Sequence, residues 1–90
     1  MLYVTTYLAS PTGTREALME AYPRHRAYLD EFARGGQVAL IGTFADGELP
    51  ASMAVFRSAE AAARFSAADP FVLEGLALPT AIREWNALEF

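Results

Sequence analysis

The chain has 90 residues, a formal net charge of −4 at pH 7, no cysteine and a single histidine. Its acidic balance argues against nucleic acid, because a phosphate-binding face needs a basic excess, and the missing cysteines exclude disulfides, thiolate metal sites and cysteine nucleophiles. One histidine cannot form a multi-histidine metal site, and no apolar run approaches the roughly 20 residues of a membrane span. We therefore expect one domain over residues 1–90, with no metal, cofactor, nucleic-acid partner or membrane partner.

Residues 2–8 alternate in a period of two, with Leu2 and Val4 on one side and Tyr3 and Thr5 on the other. This alternation, rich in β-branched and aromatic residues, predicts a first strand. The segment has no basic leader and is interpreted as a strand rather than a signal peptide, so the expected location is the cytoplasm.

Helical composition follows from Thr14, the expected N-cap, to about Arg34. The glycines of Gly35-Gly36 then allow left-handed backbone and end the helix. Pro23 interrupts this stretch: it either kinks the helix or begins a second helical segment, in which its missing N–H costs nothing.

His25 comes two residues after Pro23 and is thereby placed on the first turn of a helical segment. At 3.6 residues per turn it shares an apolar face with Tyr28, Leu29 and Phe32, which aims it at the interior. Because a helix amino terminus disfavours positive charge, we expect a neutral imidazole. Two interpretations are open from the residues alone: a buried structural histidine, or the general acid/base of a small pocket.

The remaining elements follow from turn, cap and strand patterns. In chain order they are a strand over 37–44, a hairpin turn at Asp46-Gly47, a strand over 51–57, a helix over 59–68 capped by Ser58, a short helix over 71–76 after Asp69-Pro70, and a last strand from Leu78 or Thr80 to Trp85.

This order of elements predicts an α+β, ferredoxin-like βαββαβ fold, with a four-stranded antiparallel sheet and both helices on one face. The first three strands are apolar on both sides. The face without helices must therefore be covered, and we expect a homodimer that packs sheet on sheet.

An ordered set of short motifs spans nearly the whole chain. The motifs are Pro23-x-His25-x-x-Tyr28-Leu29, Gly36, the strand glycine Gly42, Asp46-Gly47, Ala67-Ala68-Asp69-Pro70-Phe71 and Ile82-Arg83-Glu84-Trp85. Together they resemble the YciI-like (YCII-related) family of small proteins. The resemblance implies a dimeric α+β barrel built on the ferredoxin-like fold, a small-molecule ligand and, as a possible further level, an assembly of dimers.

The resemblance also implies an active site centred on a histidine and an aspartate, which are His25 and Asp69 in this sequence. An aspartate bonded to one imidazole nitrogen fixes the tautomer and raises the basicity of the other nitrogen. Such a pair suits elimination or isomerisation of a small cyclic substrate, and one type of relative acts as a dehydrochlorinase on a chlorinated hydroxyquinol. The structural interpretation of Asp69 stays open, since Asp before Pro is a common helix start.

The implied function is a cofactor-independent lyase or isomerase that uses this histidine and aspartate as an acid-base pair. The alternative is a non-catalytic small-molecule binding or interaction module that uses the same pocket, with His25 as a hydrogen-bond donor.

Four further residues are expected to bind the substrate: Tyr3, Arg24, Tyr28 and Gly42. The two tyrosines have packing as an alternative role, and a glycine inside a strand opens space beside a pocket. The chain departs from the family pattern at Tyr22, where an arginine often precedes the proline, and at Thr43, where a proline often follows the glycine. If those two groups bind an anionic substrate in the family, this chain either binds a different substrate or uses Arg24 or Arg26 as the replacement cation.

Overall fold

The computed structural model describes residues 1–90 and contains five strands and three helices. In chain order these are β1 (Leu2–Ala9), α1 (Arg15–Ala33), β2 (Val38–Thr43), β3 (Ser52–Phe56), α2 (Ala59–Ala68), α3 (Pro70–Leu73), β4 (Ala77–Pro79) and β5 (Arg83–Trp85). All strands belong to one sheet, which confirms the predicted α+β, ferredoxin-like fold. None of the helices combines the length and the apolar character that crossing a membrane would require.

The sheet has the strand order β2-β3-β1-β4, and every pairing is antiparallel. β4 pairs with the carboxyl end of β1 and β5 with its amino end, so the single last strand of the sequence prediction is two short strands on one edge. The break follows Pro79, which has no N–H to donate. Thr80 spans it, donating its N–H to the carbonyl of Thr6 at 2.8 Å.

The ends of the two longer helices lie where the cap pattern predicts them. The Oγ1 of Thr14 accepts a hydrogen bond from the Ala17 N–H at 3.2 Å, and the Oγ of Ser58 accepts one from the Ala61 N–H at 3.1 Å. Beyond the end of α1, Gly36 takes a left-handed φ of +78°. Each of the two N-cap side chains, Thr14 and Ser58, accepts a bond from a backbone N–H that the helix leaves free, and stabilises its helix by about 1 kcal/mol.

The α1 helix is continuous from Arg15 to Ala33, with Pro23 inside it. The prediction that His25 lies on the first turn of a helical segment is therefore wrong. His25 lies near the middle of α1, where the partial charge of a helix amino terminus does not act. Pro23 removes only the N–H that would donate to the Met19 carbonyl, and the remaining turns of the helix keep it continuous.

The hydrophobic core lies between α2 and one face of the sheet. Its buried members are Tyr7, Ala54, Phe56, Ala61, Ala62, Phe65 and Ala77. The alanines let α2 lie close to β3, and the rings of Phe56 and Phe65 fill the space between them at 5.4 Å between centroids. Burying each of these two rings stabilises the fold by about 1.5–3 kcal/mol. Part of α1 joins this core from the side through Leu29 and Phe32.

The other face of the sheet carries no helix, and we call it the open face. By register, its residues are Leu2, Val4, Thr6, Leu8, Leu40, Gly42, Met53, Val55, Leu78, Arg83 and Trp85. Leu40 is 66 % exposed, and Leu78 and Trp85 are nearly half exposed. A run of large apolar side chains on one exposed face is typical of an interaction surface.

Candidate functional site

A cavity of about 530 Å³ lies between α1, the sheet and the turn that joins α2 to α3. Eighteen residues line it, and 12 of them are hydrophobic. A volume of this size falls in the range of small-molecule sites, which are mostly apolar with a few polar groups that orient the ligand. The polar groups of this cavity therefore decide what it can bind and do.

His25 and Asp69 meet at the wall of this cavity. His25 comes from the middle of α1 and Asp69 from the residue between α2 and α3, and their Nδ1 and Oδ1 atoms are 2.7 Å apart. The two side chains are only 11 % and 3 % exposed. In a neutral imidazole this contact requires the proton on Nδ1, because the carboxylate can only accept. The Nε2 atom is then left with a free lone pair.

Asp69 has two tasks in the fold. Its Oδ1 accepts the bond from His25 and also a bond from the Phe71 N–H at 3.2 Å, which caps the short helix α3. Asp69 is therefore a helix cap, as its structural interpretation expects, and the same oxygen atom makes the contact with His25. Because that oxygen is fixed by the backbone, the imidazole that bonds to it is fixed as well.

Aromatic rings hold the imidazole on three sides. The ring of Phe71 stacks on His25 with centroids 4.0 Å apart and an angle of 7° between the planes. Phe65 presents its edge at 6.5 Å, and Tyr22 lies tilted at 6.0 Å. Contacts of this kind restrict rotation of the imidazole, so that one orientation of Nε2 is maintained.

Of the residues predicted to bind substrate, Gly42 lines the cavity, while Tyr3, Arg24 and Tyr28 do not. Tyr3 pairs with Phe56 and Glu84 inside the sheet. These placements favour the packing alternative for the tyrosines.

Arg24 points away from the cavity and bonds two carboxylates. Its guanidinium lies 2.7 Å from Glu20 and 2.8 Å from Glu74, and these bonds lower the pKa of both glutamates. The second pair links α1 to the end of α3. Arg24 therefore serves the contact between two helices, and the lining cation is Arg26.

Tyr28 bonds to the backbone of α2. Its hydroxyl donates to the Phe65 carbonyl at 2.9 Å, and burial, followed by the nearby charge of Asp69, raises its pKa. Tyr28 thus holds α1 against α2 beside the aspartate without reaching the cavity.

Tyr7, Ser52 and Thr43 line the cavity although the sequence did not mark them as binding residues. Tyr7, for which the sequence leaves both packing and pocket lining open, belongs to the core and also lines the cavity, and its hydroxyl lies 3.0 Å from Ser66 Oγ. Burial raises the pKa of Tyr7 to about 12, so its phenol stays protonated at neutral pH. The sequence signal for Tyr7 is its amphipathic side chain on one face of β1, and Thr43 is marked only as a departure from the family pattern; no local pattern marks Ser52.

Comparison with known proteins gives a family and a fold. A family model described as the YCII-related domain matches residues 1–86. Among solved structures, the chain is similar to the 5-chloro-2-hydroxyhydroquinone dehydrochlorinase from Burkholderia phenoliruptrix, solved in complex with 2,5-dihydroxybenzoquinone. That likeness has a TM-score of 0.69 and 22 % identity over 96 % of this chain and 94 % of the other, and at this identity it shows the shared fold. No curated protein matches the chain.

Proposed function

The chain belongs to the YCII-related family, and on that basis we propose that it is a cofactor-independent lyase or isomerase of small cyclic substrates, with His25 and Asp69 as its acid-base pair. The observation that supports this most is the 2.7 Å contact between His25 Nδ1 and Asp69 Oδ1 at the wall of a ligand-sized cavity. A base needs a free lone pair, and the contact through Nδ1 leaves one on the Nε2 atom of His25, a residue that lines the cavity.

In the proposed reaction, Nε2 first removes a proton from a hydroxyl or an acidic carbon of the bound ring. The imidazole becomes positively charged, and the adjacent Asp69 carboxylate stabilises that charge. Assistance of this kind accelerates proton transfer by roughly 10²–10⁴. The nearly complete burial of Asp69 strengthens the effect, because a carboxylate shielded from water acts in a medium of low dielectric constant.

The electron pair left on the substrate then shifts within the ring. It either moves a double bond, after which the imidazolium returns its proton at a ring carbon, or expels a leaving group from a conjugated saturated carbon, which completes an elimination. In a chlorinated phenol the first outcome prepares the second: the carbon that bears chlorine becomes saturated when it receives the proton, and removal of a further hydroxyl proton then expels chloride. The dehydrochlorinase with the same fold is named for the second outcome. Both outcomes need one acid/base group and no nucleophile from the protein, which agrees with a cavity whose titratable residues are Tyr7, Tyr22, His25, Arg26 and Asp69.

The test is turnover of 5-chloro-2-hydroxyhydroquinone, with chloride release as the readout, together with deuterium exchange at acidic ring carbons of related phenols followed by NMR. We expect His25→Asn to lower the rate by roughly 10²-fold or more. Asp69→Asn tests the pair separately, because asparagine keeps the helix cap and removes only the charge. As a matched control, Asp46→Asn changes an exposed aspartate of the β2–β3 turn and should leave the rate unchanged.

The proposal fails if His25→Asn keeps the parent rate. If the parent chain binds ring compounds but neither releases chloride nor exchanges protons, the second candidate gains support: a non-catalytic binding module with the same cavity. The stacked and nearly sealed imidazole, 11 % exposed, is the observation that favours this second candidate.

We also propose that two copies of the chain associate through the open face. The exposed Leu40, Leu78 and Trp85 give that face an apolar surface that two copies related by a two-fold axis can cover for each other. Sedimentation at micromolar concentration should give twice the mass of one chain, and Leu40→Glu should give a single chain. Met19→Glu, on α1 and equally exposed at 63 %, is the matched control and should remain dimeric.

A further inference from the structure

Three hydroxyl side chains form one row across the sheet at the floor of the cavity. Tyr7 of β1 is directly opposite Ser52 of β3, and Ser52 is directly opposite Thr43 of β2. Residues that face each other across antiparallel strands project from the same face of the sheet. That face is the one that packs against the helices, since Tyr7 belongs to the core. All three residues line the cavity.

The hydroxyl row runs from the inside of the protein to its surface. Tyr7 is 5 % exposed, Ser52 is half-buried and Thr43 is exposed. The hydroxyl of Tyr7 has Ser66 as a partner at 3.0 Å, whereas the hydroxyls of Ser52 and Thr43 remain available to a ligand. Ser52 and Thr43 therefore offer neighbouring neutral hydrogen-bonding groups beside the Tyr7 ring, in a cavity that is otherwise mainly apolar.

Arg26, the cation of the cavity wall, is already engaged. Its Nε donates to Asp30 at 2.9 Å and its Nη1 donates to the Tyr22 hydroxyl at 3.3 Å. Its side chain is 56 % exposed, so water competes with any ligand for it. Recognition inside the cavity consequently falls to neutral groups such as the hydroxyl row, which carry no opposite charge to offset the cost of taking a carboxylate or a phosphate out of water.

We propose that the hydroxyl row of Tyr7, Ser52 and Thr43 is the subsite that sets substrate specificity, and that it selects rings carrying at least two hydroxyl or carbonyl oxygens. This inference rests on the proposed function, whose substrate class it names. The Cβ atoms of residues opposite each other on neighbouring strands are about 4.5–5.5 Å apart. That spacing is close to the separation of oxygens on opposite carbons of a six-membered ring. Two adjacent hydroxyls of the row can therefore bond both oxygens while the apolar walls contact the ring.

The experiment is an NMR titration of the isotope-labelled parent chain with benzene, phenol and hydroquinone, which carry no, one and two oxygens on the same ring. Each added oxygen should tighten binding by about 3- to 10-fold, the range of one net hydrogen bond. Hydroquinone should shift the backbone amides of Ser52 and Thr43. The amide spectrum of each variant reports directly whether it is folded.

Ser52→Ala and Thr43→Val should each weaken hydroquinone by about 3- to 10-fold and leave benzene unchanged. Thr6→Val, which removes a hydroxyl from the opposite face of β1, is the matched control and should leave both affinities unchanged. The inference is overturned if hydroquinone binds the parent no tighter than benzene, if it does not bind at all, or if the variants weaken benzene equally. Turnover in His25→Asn is measured separately, so the proposed function and the hydroxyl row can each fail without the other.

Discussion

Removal of the Asp69 side chain should cost about 2–4 kcal/mol of unfolding free energy, more than any other single carboxylate of the chain. Its Oδ1 accepts two hydrogen bonds, from His25 Nδ1 at 2.7 Å and from the Phe71 N–H at 3.2 Å, in a setting where only 3 % of the side chain is exposed. Loss of a helix cap costs about 1 kcal/mol. Leaving a buried imidazole donor without an acceptor costs about 1–3 kcal/mol more.

Asp69→Asn should cost less, about 1 kcal/mol. The amide oxygen of asparagine can accept the same two bonds, and only the contribution of the negative charge, roughly half the strength of each bond, is lost. The assay is urea unfolding followed by far-ultraviolet circular dichroism at pH 7 and one fixed chain concentration. Asp46→Ala is the control, since Asp46 accepts one bond from the Glu48 N–H at an exposed turn and should cost under about 1 kcal/mol.

The reasoning is refuted if Asp69→Ala lowers the unfolding free energy by less than about 1 kcal/mol, which is the contribution of the helix cap alone. It is also refuted if the alanine and asparagine variants are equally destabilised, because the two changes differ in whether His25 and Phe71 keep an acceptor.

Three further predictions concern single groups. In the neutral form of His25, nitrogen NMR should find the proton on Nδ1, and Asp69→Ala should abolish that preference; a neutral form with the proton on Nε2 would contradict the geometry. Thr5→Val should stabilise the fold by about 1 kcal/mol, since the Oγ1 of Thr5 is buried without a hydrogen-bond partner; a loss of stability in urea would contradict this. Tyr7 should ionise near pH 12, and Tyr7→Phe should remove that step from the ultraviolet titration. Because the folded pKa of Tyr7 lies above the unfolded value of 10.0, stability is full below pH 10 and falls by about 2–3 kcal/mol as the pH rises toward 12; an alkaline limb that Tyr7→Phe leaves unchanged would count against it.

Features decided by neighbouring residues could be predicted from the sequence. The α2 helix begins after Ser58 and ends at Ala68 as its cap and its small apolar residues indicate. The turn glycine Gly47 takes a left-handed φ of +72°, which the pair Asp46-Gly47 predicts. In each case a few consecutive residues determine the conformation, so no distant contact is needed to predict it.

Features decided by long-range contacts were beyond the sequence. The step of about 100° between successive helix residues turns Arg24 off the face of His25, but no local pattern indicates that its partner is Glu74, 50 residues along the chain. Likewise, Pro23 was compatible with a helix start, and only the continuity of α1 decides against it.

The hydroxyl row shows the same limit in the sheet. The alignment of Tyr7, Ser52 and Thr43 depends on the register of three strands. A shift of one residue would turn alternate side chains to the other face. That register is a property of the packed sheet, and no local pattern carries it.

The shared oxygen of Asp69 has a consequence for how this protein can change. One atom caps α3 and also orients His25, so most substitutions of Asp69 should destabilise the fold even in a protein that has no activity. Conservation of this aspartate among relatives would therefore be weak evidence for an activity, whereas conservation of the histidine would be strong evidence. This division matters for protein engineering. Asp69 should be kept because it caps α3, whereas position 25 can be substituted to place a different acid, base or ligand-binding group beside it.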